Sequence, residues 1–198
     1  MKKIAVLLFD DVELLDFAGP LQVFSSLKYV LGDEGIEVIT VGLTPEIKVS
    51  KLGMIIRPDK VITELDDTID LLIIPGGFGT RPIIKDDLAL RQIESSISKS
   101  NHIASVCTGS LVLARLGLLS HKKATTHYAA VDILTQLDPT IEVDRTKRYH
   151  DHGKVIVSEG VSAGIDMSFY LIEKHFGADT SATVRKYIEY YPEPYDNY

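Results

Sequence analysis

Ser105-Val106-Cys107-Thr108-Gly109-Ser110 is the stretch that decides the fold. One apolar run, 103–106, leads into it and another, 111–116, leads out of it. This pattern predicts a buried strand that turns abruptly into a helix, with Cys107 at the corner and small residues after it that permit a tightly folded backbone. Such an elbow projects a nucleophile from the end of a sheet. We expect the amides of the following helix to favour a thiolate and to lower the pKa of Cys107.

Cys107 is the only cysteine of the chain. Two interpretations stay open at this point, because a free cysteine is more often a small core residue than a nucleophile. The elbow favours the catalytic interpretation, since it supplies a physical means of activation. A single cysteine excludes an internal disulfide framework and a cysteine-cluster metal site, and we expect a reducing, cytoplasmic location.

The composition is that of one globular domain, which we expect to span residues 1–198. The chain is 45% hydrophobic and 25% charged, with a net charge of −7 and an isoelectric point near 5.3. An acidic chain without a basic stripe is not expected to bind nucleic acid or an anionic membrane. The apolar run 4–9 near the start is too short for a secretory signal or a membrane span, so we expect neither.

Strands alternate with helices along the chain, which predicts an α/β domain with a mostly parallel central sheet. Apolar runs are typical of strands covered on both faces, and they occur at 4–9, 71–74 and 103–106, while 36–43 is predicted as a further strand. Helical spacing is found at 86–98, 129–137 and 163–176. The Gly19-Pro20 pair is expected to delay the first helix until about Pro20.

Three polar or glycine-rich segments directly follow predicted strands: 10–16, 76–79 and 107–109. Sites in parallel sheets form outside the carboxyl ends of the strands, so we expect these segments to meet there. Asp16 lies among apolar neighbours, which favours a raised pKa and a role in proton transfer, although plain helix capping stays open. The run Gly76-Gly77-Phe78-Gly79 lacks dinucleotide-binding spacing and is either a simple turn or a source of backbone N–H donors for a developing anion.

Two histidine motifs carry weaker signals. His127, at the end of a predicted strand beside Tyr128, is expected to line a pocket without acting as an essential base. His150-Asp151-His152 alternates in direction at a turn, so we interpret it as turn chemistry and expect no metal there.

Several of these segments together resemble the ThiJ/PfpI superfamily of flavodoxin-like, glutamine-amidotransferase-like cysteine proteins. The match is carried by Leu15-Asp16-Phe17-Ala18-Gly19-Pro20, Ile74-Pro75-Gly76-Gly77, Val106-Cys107-Thr108-Gly109-Ser110, Ala124-Thr125-Thr126-His127-Tyr128, Ser162-Ala163-Gly164-Ile165-Asp166 and the ending 188–194. Asp16, the Cys-Thr-Gly elbow and a Tyr-x-Pro-x-Pro tail most resemble the isocyanide (isonitrile) hydratase branch. Thr108 occupies the place of the histidine that follows the cysteine in the intracellular-protease branch, which argues against peptidase activity.

This resemblance implies a flavodoxin-like three-layer sandwich and the hydration of an isocyanide to an N-substituted formamide. It assigns catalysis to Cys107, Asp16 and Thr108, with backbone amides of Gly77 and Thr108 around the developing charge. The expected pocket residues are Gly76, Phe78, His127 and Tyr128. The resemblance further implies a homodimer, a small-molecule substrate and no cofactor. Two alternatives stay open: a redox- or ligand-sensing protein without turnover, and a glyoxalase or deglycase that acts on small reactive carbonyls.

Overall fold

The computed structural model describes residues 1–50, 52–65 and 68–191. The proline-containing tail that contributed to the resemblance, 192–194, lies outside the described residues. The strands, numbered in chain order, are β1 Lys3–Leu8, β2 Glu37–Gly42, β3 Ile47–Lys48, β4 Ile55–Ile56, β5 Lys60–Val61, β6 Ile69–Ile74, β7 Ser100–Ser105, β8 Lys123–Ala124, β9 Glu142–Val143, β10 Tyr149–Asp151 and β11 Val155–Ser158.

The helices agree with the periodicity of the sequence for the longest segments. They are α1 Leu14–Leu31, α2 Thr80–Ile83, α3 Asp87–Ser98, α4 Gly109–Arg115, α5 Val131–Leu137, α6 Ala163–Phe176 and α7 Ala178–Tyr187, with short 3-10 turns at Ile62–Glu64 and Tyr128–Ala130. The predictions of α3 and α6 are confirmed. Asp86 is the N-cap of α3, and its carboxylate accepts hydrogen bonds from two amides of the first helical turn. None of the helices among the described residues is long and apolar enough to cross a membrane.

The central sheet confirms the predicted α/β class. Its seven strands lie in the order β10-β11-β7-β6-β1-β2-β5, and every pair is parallel except β10–β11. The chain begins in the middle of the sheet, adds β2 on one side of β1 and then crosses to place β6 on the other side. The strand order therefore reverses between β1 and β6, and a crevice forms at the carboxyl ends of the strands at such a switch point. The segments after β1, β6 and β7 open into this crevice.

The prediction for the start of the first helix is wrong. Helix α1 begins at Leu14 and contains Pro20, so Asp16 lies in the first helical turn. Proline lacks the N–H that would bond the carbonyl four residues earlier, which made an interrupted helix the natural expectation. Tertiary packing overrides this cost: Gly19 lets α6 approach α1 so closely that a Cβ at Gly19 would stand 2.8 Å from Ile165 Cγ1.

A polar cluster ties the C-terminal segment to this helical layer. Asp166 on α6 accepts hydrogen bonds from Arg148 Nε at 2.6 Å and from the Tyr190 hydroxyl at 2.8 Å. Tyr190 also stacks on Phe169, with ring centroids 5.4 Å apart. The segment 162–166 and the described C-terminal residues are therefore held together by direct contacts.

Candidate active site

The elbow holds Cys107 in a strained backbone conformation. Its φ is +58°, in the left-handed region that non-glycine residues seldom adopt. Three hydrogen bonds fix it: the Cys107 N–H donates to the Glu159 carbonyl at 2.9 Å, and the Cys107 carbonyl accepts from the hydroxyls of Thr126 and Ser110, both at 3.0 Å. The predicted tight corner is confirmed, since a Cβ on Gly109 would lie only 2.1 Å from the Ile74 carbonyl oxygen.

Asp16 enters the site from the first turn of α1 and is fully buried. Its Oδ2 accepts a hydrogen bond from the Gly76 N–H at 2.9 Å, while Oδ1 is buried without a hydrogen bond of standard geometry among the described residues. Burial raises the pKa of Asp16 to about 7, although the Gly76 N–H and the Cys107 thiol each lower it, and the Glu13 charge raises it further. The predicted upward shift is confirmed, and the carboxyl is available for proton transfer near neutral pH.

The prediction of a lowered cysteine pKa is wrong. Burial and, after it, the negative charge of Asp16 raise the pKa of Cys107 to about 12, and the backbone N–H groups of Thr108 and Val161 offset only part of this. Only 5% of Cys107 is exposed, so desolvation outweighs the favourable amides at the start of α4. The thiol and the carboxyl titrate as a coupled pair, and between about pH 7 and 12 the pair holds a single proton.

The glycine-rich loop holds the pair in place through its backbone. The Thr108 hydroxyl donates to the Gly77 carbonyl at 3.1 Å and accepts from the Gly77 N–H at 2.9 Å. In this structure the Gly77 amide is therefore bonded to the Thr108 hydroxyl, and these two hydrogen bonds clamp the loop to the elbow. The expected roles of Gly77 and Thr108 in catalysis stay predictions.

Gly76 sits between the acid and the elbow, where no side chain fits. A Cβ at this position would lie 2.5 Å from the Thr108 backbone nitrogen and 2.7 Å from Asp16 Oδ2. Gly76 is buried and contributes its N–H to Asp16, so it sets the distance between the loop and the elbow. It is not among the residues that line the cavity described next.

A cavity of about 300 Å³ opens above Cys107, with Asp16 buried behind the sulfur. Its lining residues are Glu13, Gly77, Phe78, Arg81, Cys107, Thr108, His127, Ala129 and Val161. Phe78 and His127, which we expected in a pocket, are among these residues. Tyr128 is 68% exposed and is not among the lining residues, because the chain forms a 3-10 turn after His127 in place of the predicted strand end. A volume of this size suits a small molecule.

Sequence reasoning missed three residues of this cavity. Glu13 falls in the polar segment 10–16 without any feature that distinguishes it, and it lines the cavity as the residue before α1. Arg81 belongs to the four-residue helix α2, which is too short to leave a periodic signal. Val161 has a φ of +50°, an unusual conformation for a β-branched residue, and its N–H faces both Asp16 and Cys107. No sequence pattern marks these three residues.

The three residues of the His-Asp-His motif bind different partners. His150 Nε2 lies 2.9 Å from the Asp144 carbonyl, and His152 Nε2 lies 2.7 Å from the Lys123 carbonyl. Asp151 accepts hydrogen bonds from the Tyr170 hydroxyl and from Lys174. These contacts join β10 to its surroundings, in accord with the structural interpretation of the motif.

Comparison with known proteins places this geometry in a family. The DJ-1/PfpI family model matches residues 2–174. The isonitrile hydratase of Pseudomonas putida is 35% identical over 97% of this chain and 80% of its own length. The glutathione-independent glyoxalase DJR-1.2 of Caenorhabditis elegans is 24% identical over 79% of this chain and 83% of its own. A ThiJ/PfpI family protein from Pseudomonas syringae superposes with a TM-score of 0.85 at 27% identity, over 99% of this chain and 78% of its own.

The burial of Asp16 predicts a specific pH dependence of stability. Its folded-state pKa lies above the ordinary value of about 4, so the contribution of Asp16 to stability is fully present below pH 4 and is lost as the pH rises to about 7. The loss is on the order of 4 kcal/mol. We expect Asp16→Asn to remove this loss, as measured by urea unfolding at several pH values. Asp179→Asn, at an exposed carboxylate in the first turn of α7, is the control. Equal slopes for wild type and Asp16→Asn would contradict the buried carboxyl.

The close approach at Gly76 predicts that Gly76→Ala displaces the elbow from the acid. We expect a loss of activity of about 100-fold, because a misplacement near 1 Å has effects of this size. Gly153→Ala is the matched control: its φ is +82° but nothing lies within 4 Å of the added Cβ. This control should lower the unfolding temperature without changing the rate at which iodoacetamide alkylates Cys107. An unchanged alkylation rate in Gly76→Ala would show that the spacing has no such role.

Proposed function

Since the chain belongs to the DJ-1/PfpI family, we propose that it is a cysteine-dependent hydratase, which adds water to an isocyanide to give an N-substituted formamide. The observation that carries the proposal is the buried carboxyl of Asp16 against the thiol of Cys107, which itself lines one small cavity. The identity to the Pseudomonas putida isonitrile hydratase supports the choice of substrate class.

The reaction begins with the proton that the pair shares. The Asp16 carboxylate takes the thiol proton as the sulfur attacks the terminal carbon of the isocyanide, and an S–C bond forms. Asp16 then delivers that proton to the same carbon, which leaves a thioimidate on Cys107 and a carboxylate on Asp16. One group serves as base and then as acid, for which a pKa of about 7 is well suited.

Water resolves the thioimidate. The Asp16 carboxylate removes a proton from water as the hydroxyl adds to the carbon, and the same proton is passed to the nitrogen. The tetrahedral intermediate then collapses: Asp16 takes its hydroxyl proton and passes it to the sulfur as the C–S bond breaks. The formamide leaves, and the pair again holds one proton as a thiol and a carboxylate. The backbone N–H groups of Thr108 and Val161, which already favour the ionised sulfur, stabilise the charge that develops there. The residues present carry out each step without a cofactor.

The glyoxalase alternative is favoured by one observation, the similarity to the Caenorhabditis elegans glyoxalase. The same pair would add its thiol to a reactive carbonyl carbon. The sensing alternative uses the same sulfur, and the raised pKa of Cys107 disfavours oxidation and nucleophilic attack alike unless a base takes the thiol proton.

The homodimer and the cytoplasmic location stay predictions. Phe78 and Tyr128, which are 50% and 68% exposed, place apolar surface beside the cavity and support a dimer that borders it. Sedimentation equilibrium checks the oligomeric state.

Paired assays test the proposed function. We expect purified protein to convert an aryl isocyanide to its formamide and to leave methylglyoxal almost unchanged, with products measured by chromatography. Cys107→Ser should abolish turnover. Asp16→Asn should reduce turnover by about 10²- to 10⁴-fold, the usual contribution of a general acid–base group, and Asp179→Asn should not. Formamide production by Cys107→Ser would contradict covalent catalysis, and turnover of methylglyoxal alone would favour the glyoxalase.

The coupled pair also predicts the pH profile of turnover. The active form holds one proton, so kcat/KM should rise with pH with a midpoint near 7, where the second proton leaves Asp16. A profile that is flat from pH 5 to 9 would show that Asp16 does not exchange protons in the rate-limiting steps.

A further inference from the structure

Two charged side chains line the cavity, and they differ in what they contact. Arg81 donates from Nη1 to the Gly77 carbonyl at 3.0 Å, and its guanidinium carbon lies 5.1 Å from the centre of the Phe78 ring. Its charge is thus engaged with the loop and an aromatic face. Glu13 forms no ion pair within 4.0 Å among the described residues.

Glu13 occupies the N-cap position of α1, yet its side chain makes no capping hydrogen bond. Its backbone N–H donates to the Gly76 carbonyl at 2.9 Å, which fixes the residue against the loop that holds Asp16. The carboxylate therefore lies in the wall of a 300 Å³ cavity that it shares with the sulfur of Cys107. A charge in so small a space acts on any charged ligand that enters, because water screens it incompletely.

We infer that Glu13 is the specificity-determining residue of this cavity: its carboxylate admits isocyanides with neutral or cationic substituents and rejects those that carry a carboxylate. The inference rests on the proposed function and names the substrate class of the same site. The Glu13 carboxylate repels a carboxylate on the ligand, and such repulsion excludes molecules whose size and shape would otherwise fit the cavity. The apolar lining from Phe78, Ala129 and Val161 fits the hydrocarbon part of such a substrate.

The same charge acts on the reacting pair. Glu13 precedes Asp16 by three residues, and its negative charge adds to burial in raising the pKa of Asp16. The groups that face Asp16 are the Cys107 thiol, the N–H groups of Gly76 and Val161, and Glu13, while Arg81 and His127 are the other charged or titratable residues of the cavity wall. Glu13 is therefore also a positioning residue, because it favours retention of the proton that Asp16 delivers.

The test compares matched neutral and anionic substrates. We expect wild-type protein to hydrate the methyl ester of 4-isocyanobenzoate with a kcat/KM at least about tenfold above that of the free carboxylate. Glu13→Gln should bring the two values close together, and Glu13→Asp, which keeps the charge, should restore the preference. Glu94→Gln, at an exposed residue of α3, is the control and should behave as wild type. An unchanged preference in Glu13→Gln would overturn the inference.

A second measurement separates this inference from the proposed function. Iodoacetamide and iodoacetate alkylate the same sulfur but differ in charge, so the ratio of their rates at Cys107 reports the field in the cavity without any hydration. Glu13→Gln should raise the relative rate of iodoacetate by about tenfold and should shift the midpoint of the pH–rate profile for iodoacetamide to lower pH. If no isocyanide is hydrated and the ratio still changes, the proposed function fails while the charge selection by Glu13 stands. An unchanged ratio and midpoint would overturn the role of Glu13 even in an active hydratase.

Discussion

The contact between a fully buried carboxyl and a nearly buried thiol is the constraint on which the rest of the structure depends. Two ionisable groups in one desolvated site cannot both lose their protons at neutral pH, because each charge is costly and each disfavours the other. Asp16 and Cys107 therefore keep one proton between them, as the raised pKa of each indicates. That proton can pass between the carboxyl and the sulfur, and the proposed function depends on this exchange.

The fold places this pair by close backbone approaches more than by side-chain contacts. The switch point between β1 and β6 brings the start of α1, the glycine-rich loop and the elbow to one edge of the sheet. Gly76 then allows the loop to contact both partners, since even a methyl group there would lie within 2.7 Å of Asp16 Oδ2. Strain is concentrated at the same place, in the positive φ angles of Cys107 and Val161. Backbone strain of this kind persists where the surrounding packing fixes it, and it is common at functional sites.

Much of the fold was predictable because its signals are local. Continuous apolar runs identified the inner strands, and the spacing in α3 and α6 identified those helices to within a residue. The first helix was mispredicted because Gly19 and Pro20 are locally unfavourable, and only the packing of Ile165 across from α6 explains their place within it. A contact between helices separated by more than a hundred residues leaves no periodic signal in either one.

The candidate site was predictable in its members but not in its electrostatics. The elbow and the isolated acid among apolar residues identified Cys107 and Asp16, and strand ends brought them together. The direction of the cysteine pKa was mispredicted because the sequence reveals a helix start but not the depth of burial, and burial dominates here. Three cavity residues were missed for three different reasons. Glu13 occupies an N-cap position without a capping hydrogen bond, Arg81 lies in a single-turn helix, and Val161 lies in a strained loop. Each of these is a tertiary feature.

An infrared titration of the Asp16 carboxyl tests the shared proton most directly. The C=O stretch of a protonated carboxyl buried in an apolar site is resolved from that of exposed carboxyls, and difference spectra between wild type and Asp16→Asn assign the band. The account predicts that this band is present at pH 5, disappears with a midpoint near pH 7, and moves to a lower midpoint when Cys107 is alkylated with a cationic reagent. A band that has already vanished by pH 5 would mean that Asp16 is an ordinary carboxylate, and the shared proton would be excluded.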